Sequence, residues 1–456
     1  MVSDGTPISN TLISEVTMNL SLKRREFLKA ASCAGCFTPA LGIQSLAWGH
    51  SGSESSPLLL TVFLRGGADG LNFVSPVNDV NFVDARAQEL RVLESGSQAG
   101  FLLKQTLSPH TGFYLHREAG AFAELYNSKY LAVVHSAGIN DATRSHFVAQ
   151  LMIERGVGDT SVVKNTQAST SSLGWMTKAL NALPQYSNQI NAYAASSILP
   201  VILEGSPTVL VAPDLHAGLG TPWLQPAFGL PMEILNTDKK TIESQYQDLY
   251  RASKEALYLQ AKINQSFGQN SYGKTLPYKP SGAANYQVAG SFGRSLASIA
   301  HLAKTNVGLR LANVSLGGWD THDSQPSRFS NAVRLLSSGL GSFYEDMTAS
   351  NKSVIIVIMT EFGRRVRPNK SNGTDHGHGA CWFVIGDKVK GGNFIGRWPG
   401  LNINELDQGV DLAVTTDYRQ IIFESLVASG LDSNKSLSDW QAESTKNPLG
   451  LFDKKV

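Results

Sequence analysis

Ser353–Thr360 reads SVIIVIMT, an unbroken apolar run rich in β-branched residues that ends in Glu361-Phe362-Gly363-Arg364. A strand with one wet face alternates polar and apolar residues, so a continuous run of this length belongs to a strand covered on both sides. Leu58–Leu64 (LLLTVFL), Leu131–His135 (LAVVH) and Arg310–Leu316 are of the same kind. Leu199–Glu204, Thr208–Val211 and Trp382–Ile385 are shorter candidates. Helical patterns fall between them at Gly120–Ser128, Ser145–Arg155, Met232–Phe267, Phe292–Lys304, Arg328–Ala349 and Asp417–Ser429. Such alternation predicts an α/β fold, a mainly parallel sheet with helices on both faces.

The remaining composition narrows the function. The chain has 456 residues, 17% of them charged, and a formal net charge of +2. That balance argues against a nucleic-acid partner, which calls for a basic excess or patch. Lys23-Arg24-Arg25-Glu26-Phe27-Leu28-Lys29, a short apolar stretch from Ala30 to Ile43 and the small residues Ser45-Leu46-Ala47 have the order of a twin-arginine export signal. Residues 1–47 are therefore expected to be a signal region, with Met18 as a possible start, and the twin-arginine translocase as the partner during export. The mature chain, 48–456, is expected to be periplasmic or secreted. It is read as one domain without an integral membrane segment, with insertions near 161–172 and 232–290. Cys33 and Cys36 fall in the signal, leaving Cys381 and no internal disulfide.

Ligands of open α/β sheets bind beyond the carboxyl ends of the strands, and four clusters stand at such ends. After the first strand, Arg65-Gly66-Gly67-Ala68-Asp69-Gly70 offers a tight turn and a hard oxygen ligand in Asp69, or merely an Asp-Gly turn. Thr143-Arg144-Ser145-His146 opens a helix. Ser145 is either a cap or, with Thr143, a candidate nucleophile; Arg144 could hold an anion and His146 could act as base. Asp320-Thr321-His322 supplies two metal-ligand types at i and i+2. Glu361, followed by Asp375-His376-Gly377-His378, completes the candidate metal set. Arg364 and Arg365 are equally readable as anion binders or as a solvated helix start.

Five stretches carry a resemblance: Phe63–Asn72, Thr143–Phe147, Gly318–His322, Thr360–Arg364 and Thr374–Gly379. With Asn393–Gly400 and Thr415–Arg419, behind a twin-arginine signal, they resemble the exported domain-of-unknown-function family numbered fifteen hundred and one. That family is grouped with the alkaline phosphatase and sulfatase superfamily. The resemblance implies an α/β/α sandwich and hydrolysis of phosphate or sulfate esters at a metal site. By the same resemblance Asp69 is a metal-binding Asp, the Thr143–Ser145 turn is the nucleophile region, Asp320 and His322 are an Asp/His ligand pair, and His376 or His378 is a late histidine ligand. Two departures stand out. Thr360-Glu361-Phe362-Gly363 replaces the superfamily's Thr-x-Asp-His-Gly, and no Cys-x-Pro-x-Arg sulfatase sequence is present.

The expected function is thus an exported hydrolase of a small anionic ester. One or two divalent ions (zinc, calcium or magnesium) would be held by Asp69, Asp320, His322, Glu361, Asp375, His376 and His378. The alternative is a non-catalytic protein of the same fold that binds a glycan or a cell-envelope partner. Convergence of Asp69, His322, Glu361 and His378 favours the first; divergence favours the second.

Overall fold

A computed structural model describes residues 56–104, 112–158, 173–216 apart from 182, 184–188 and 207–208, 276–431 apart from 306, and 447–453. Gln265, Ser266, Gly268, Leu437 and Trp440 are described singly. All lie within the compact unit Glu54–Val456. The expected signal segment, Ser161–Ser172 and most of the expected helix Met232–Phe267 lie outside the described residues.

The chain enters through β1 (Leu58–Leu64), a short α1 (Gly70–Phe73), β2 (Val74–Pro76), α2 (Val80–Ala85), β3 (Phe101–Leu102) and β4 (Phe113–Leu115). It continues through α3 (Gly120–Asn127), β5 (Leu131–Gly138), α4 (His146–Arg155), α5 (Trp175–Asn181), β6 (Ala192–Ala195) and β7 (Val209–Val211). Then follow α6 (Gly290–Lys304), β8 (Leu311–Leu316), α7 (Gln325–Ala349), β9 (Val354–Thr360), β10 (Ala380–Gly386), β11 (Phe394–Ile395), β12 (Thr416–Asp417) and α8 (Tyr418–Ala428). Among the described residues nine strands form one sheet in the order β11-β5-β10-β9-β1-β8-β6-β7, with β12 also on β5, while β2, β4 and β3 form a small second sheet. β1 pairs in parallel with β8 and β9, and β6 with β7 and β8. β10 alone runs the other way, antiparallel to both β5 and β9.

The unbroken apolar runs have the expected cause. In β9, Val354, Ile356 and Ile358 enter one core and Ile355, Val357 and Met359 the other. β1 splits likewise, with Leu58, Leu60, Val62 and Leu64 opposite Leu59 and Phe63. Each fully buried aliphatic side chain contributes roughly 1.5–3 kcal/mol, so central strands without a wet face are the most strongly held. The first core is covered by α3, α6 and α7, and the second by α4, α5 and α8. The result is a mixed α/β chain with a large, mainly parallel sheet. One expected strand is corrected: Leu199–Glu204 contains a 3-10 turn, Val201–Leu203, entered from Pro200, whose missing N–H and fixed φ suit a turn better than a ladder. β6 and α5 were not among the expected elements.

Because β10 alone is reversed, the loops leaving β1, β5, β8 and β9 and the loop entering β10 all meet at one edge. Arg364, fully buried, ties the loop after β1, the loop after β8 and the segment between β9 and β10. It donates to the carbonyls of Gly66 at 2.5 Å and Gly67 at 2.7 Å, of Trp319 at 3.3 Å and of Thr374 at 2.6 Å, and to Asp320 Oδ1 at 2.5 Å. The turn after β1 must come close to do this. Gly66 has φ of +123°, and a Cβ there would lie 2.4 Å from the backbone nitrogen of Asp320.

Two outcomes are expected from this architecture. Arg364→Met should cost about 3 kcal/mol or more, since it strands several buried carbonyls. Arg364→Lys should rescue little of that, because a compact ammonium cannot span acceptors on three loops; urea unfolding measures both. The second outcome concerns His135, on β5, stacked on Phe394 at 4.3 Å between ring centres. Burial pushes its imidazole down to about 3, and that of His116 to about 4 with a smaller push from Arg117. Unfolded histidines take protons near pH 6.5, so this stability is complete above that pH. It should fall as pH drops towards 4 and 3, by about 1.4 kcal/mol per pH unit for each group. His135→Phe should flatten the fall measured between pH 7 and pH 5.

Candidate metal centre

The site is built from the loops that Arg364 ties. After β9, Glu361 is wholly buried, and its Oε1 accepts from Gly66 N–H and from Gln150 Nε2, each at 2.8 Å. The same oxygen lies 2.8 Å from His146 Nδ1, on the first residue of α4. Burial pushes the Glu361 carboxyl up, but its hydrogen bonds from His146, Gln150 and the backbone outweigh it and hold the group below its ordinary value. In turn the Glu361 hydrogen bond raises His146, against the lowering effect of burial. The His146 Nε2 is buried and has no hydrogen-bond partner. It points towards Asp320 Oδ1, 3.5 Å away.

Asp320 leaves β8 through Gly317-Gly318 and is half exposed. Burial raises its carboxyl, yet Arg364, His322 and His146 together bring it down to about 2. His376 Nε2 lies 3.4 Å from the same Oδ1, and His322 Nε2 lies 3.2 Å from it. The two Nε2 atoms of His322 and His376 are 2.9 Å apart. His146, Asp320 and His376 form a triad whose ligand atoms all lie within 4.8 Å of one another.

The outer ring nitrogens decide what this convergence means. His376 Nδ1 faces the carbonyl of Arg144 at 2.8 Å, so it carries a proton. His322 Nδ1 faces Asp375 Oδ1 at 3.2 Å, and His146 Nδ1 faces Glu361, so these too are donors. Every neutral imidazole therefore presents an Nε2 lone pair inward, beside an anionic carboxylate oxygen. Lone pairs 2.9–3.5 Å apart repel unless a proton or a metal ion lies between them. Metal-bound histidines are held by this outer arrangement of carboxylate or carbonyl on the second nitrogen. A tetrahedral ion with ligands near 2.0–2.1 Å has ligand–ligand edges of about 3.3 Å, close to the spacings around Asp320. The residues present fit a divalent ion, with His146, Asp320 and His376 as ligands and His322 beside two of them. His376 has its pKa lowered, chiefly by burial, which favours the neutral imidazole that a ligand must be.

The sequence-expected residues divide clearly. Asp320, His322, Glu361, Asp375, His376 and His146 come together, though not all as ligands. Glu361 orients His146, and Asp375 orients His322. Asp375 is held below its ordinary pKa first by the Asn369 hydrogen bond. His146, expected as a base, stands in the triad that could hold a metal ion.

Asp69 is corrected. Its Oδ1 caps α1 by accepting from Leu71 and Asn72 N–H, and its Oδ2 takes Arg86 at 2.6 Å and Gln325 Nε2 at 2.7 Å. A carboxylate so saturated and buried has no lone pair directed at the triad. His378 is also corrected: Nδ1 pairs with Asp407 at 2.8 Å and Nε2 with the Ile139 carbonyl at 2.9 Å, so both nitrogens are engaged elsewhere. Arg144 is corrected as an anion holder, since its guanidinium is paired with the buried Asp411 and it serves the site through its carbonyl. Thr143 Oγ1 accepts from Ser145 N–H at 3.3 Å, and Ser145 makes no side-chain cap. Neither hydroxyl bonds to the triad among the described residues. The four residues set as the discriminator do not converge, the outcome that favours the binding alternative; a different set, His146, Asp320 and His376, does converge and keeps a metal-dependent reading open. Sequence reasoning missed Gln150, which its place four residues after His146 on one helix face could have signalled. It also missed Arg328, which donates to the Asp320 carbonyl at 3.0 Å. Asp411, Asp407 and Arg86 left no local signal.

No curated protein matches the sequence. Among solved structures, a mutant TAB5 alkaline phosphatase with Mg bound in its M3 site is similar at 8% identity and a TM-score of 0.27, covering 73% of this chain and 91% of that one. Residues 235–443 match the model of DUF1501, a protein family of unknown function; the stretches Gly318–His322, Thr360–Arg364 and Thr374–Gly379 fall within that match.

Proposed function

We propose that this is an exported, metal-dependent hydrolase of phosphate or sulfate esters on an alkaline phosphatase-like α/β/α sandwich. The observation that carries the reading is the convergence of imidazole lone pairs on Asp320 Oδ1, each outer nitrogen held by Glu361, Asp375 or the Arg144 carbonyl. A divalent ion bound there would stabilise negative charge on a transferring phosphoryl or sulfuryl group and acidify the attacking hydroxyl or water. The protein's own part is orientation. Glu361 and the Arg144 carbonyl fix two rings, and Arg364 fixes the Asp320 carboxylate. Arg365, 3.9 Å from Asp411 and acting through its charge on Asp375, is the less committed guanidinium beside the triad, and Arg328, paired with Asp323 at 3.2 Å, would have to exchange that partner to meet an anionic ester. Both are partly exposed. The twin-arginine pattern at Arg24-Arg25 supports delivery to the periplasm or medium, a route suited to a protein that takes up its metal before export.

A second reading has a specific observation behind it. Asp69 and His378 are spent elsewhere, and neither Thr143 nor Ser145 is engaged at the triad. A single metal centre without a primed side-chain nucleophile also suits metal-assisted binding of a glycan or envelope partner.

Metal analysis of the purified protein should show about one divalent ion per chain, lost in Asp320→Asn and in His376→Ala. Hydrolysis of 4-nitrophenyl phosphate or 4-nitrocatechol sulfate should fall at least 100-fold in the same variants, with melting temperature as the folding control. Bound metal without hydrolysis of either ester selects the binding reading; neither metal nor hydrolysis overturns both. Arg24→Lys with Arg25→Lys should trap the precursor inside the cell, read by N-terminal sequencing.

A further inference from the structure

A separate cleft of about 250 Å³ opens on the other loops of this region, between the segment after α2, the turn before α3 and the first turns of α7. Its charged walls are Arg91, Arg117 and Glu89. Three amide side chains, Asn72, Gln98 and Asn372, also face it. Pro326 is the one aliphatic side chain in its lining. None of these residues belongs to the metal centre.

The charged groups are weakly committed. The Nε of Arg91 is buried without a hydrogen-bond partner. Arg117 approaches only its exposed chain neighbour Glu118, at 3.6 Å, a pairing worth little in water. Among the lining residues two guanidinium groups stand against one carboxylate, with Glu118 outside the lining as a partner that a ligand can displace from Arg117. The fork of an arginine matches a carboxylate bidentately. A doubly charged phosphate would meet Glu89 with one negative charge too many. The amides can both donate to and accept from hydroxyl groups. Its carbon surface comes from the stems and rings of polar side chains and from Pro326, a wall that suits a ligand with CH faces as well as hydroxyls. The cleft is smaller than the roughly 300 Å³ at which pockets for drug-sized molecules begin, so its occupant is of monosaccharide size.

We infer that this cleft is a binding site for a sugar acid, a monosaccharide unit bearing one carboxylate, with Arg91 and Arg117 holding the carboxylate and Asn72, Gln98 and Asn372 the hydroxyls. His116 contributes a fixed, neutral ring. Its Nδ1 accepts from Glu118 N–H at 3.2 Å, which leaves the proton on Nε2, and the ring packs edge-on against Phe329. The site does not depend on the metal centre.

Isothermal titration of the full chain with D-glucuronate and D-galacturonate tests it, with D-glucose and inorganic phosphate as comparators. At least one uronate should bind saturably, and at least tenfold more tightly than glucose or phosphate. Arg91→Met and Arg117→Met should each weaken it at least tenfold. Arg117 is exposed, so its variant should keep the wild-type melting temperature even if Arg91→Met does not fold. Asp320→Asn should leave uronate affinity unchanged while removing the metal, which separates this site from the metal centre. Absence of uronate binding, tighter binding of phosphate, or uronate affinity that survives Arg117→Met would overturn the inference.

Discussion

The site exists because one guanidinium is buried where the ends of the strands meet. Arg364 satisfies the carbonyls of Gly66, Gly67, Trp319 and Thr374 and neutralises Asp320. A buried charge is tolerable only when its donors are matched by acceptors and its charge by a counter-ion. Here those acceptors come from three loops far apart in sequence, so none of the loops can relax without leaving the arginine short. The small residues follow from the same constraint. A Cβ on Gly377 would lie 2.5 Å from the Arg364 carbonyl carbon, and one on Gly363 would lie 2.0 Å from the Gly379 oxygen. The glycine-rich stretches that look like flexible loops are points of close backbone approach.

The electrostatics of the centre are asymmetric although its ligands are of the same kind. His146 and His376 both border Asp320, yet their proton affinities move in opposite directions. His146 is backed by a full carboxylate, Glu361, that favours its charged form. His376 is backed by a neutral carbonyl, and burial prevails. In their orientation the two rings are equivalent; in their demand for positive charge they are not.

The sheet was legible in the sequence where it is covered on both sides, because β1 and β9 carry no polar alternation to obscure them. β6 was not, since Ala192-Tyr193-Ala194-Ala195 lacks β-branched residues and its burial comes from its neighbours. The reversed direction of β10 was hidden for a different reason: an apolar run reads the same both ways. At the site, residue types were legible but partners were not. His376 and His378 have equal chemistry and adjacent places, and the distant Asp407 separates their fates. Asp69 followed its local Asp-Gly propensity, reinforced by Arg86 and Gln325. Arg144 was drawn to Asp411, 267 residues away, a partner that no local pattern announces.

The antiparallel β10 has a mechanical consequence. In a wholly parallel sheet, a loop leaving the active edge departs into a helix and returns at the far edge. Here residues 361–379 leave β9 and re-enter β10 at the same edge, on neighbouring strands. The segment is a closed handle, clamped at both ends by the centre of the sheet and in its middle by Arg364. Closing such a loop costs entropy that grows only slowly with its length. Its tip at Lys370 and Ser371 is exposed yet fastened: the Ser371 carbonyl accepts from Ser324 N–H at 3.2 Å, and Ser371 N–H donates to Asn369 Oδ1 at 2.9 Å. Asn369 carries that fastening inward, since it also donates to the His322 carbonyl at 2.8 Å and to Asp375 Oδ1 at 3.1 Å, so the handle is a lever by which a change at the rim is felt at the histidines.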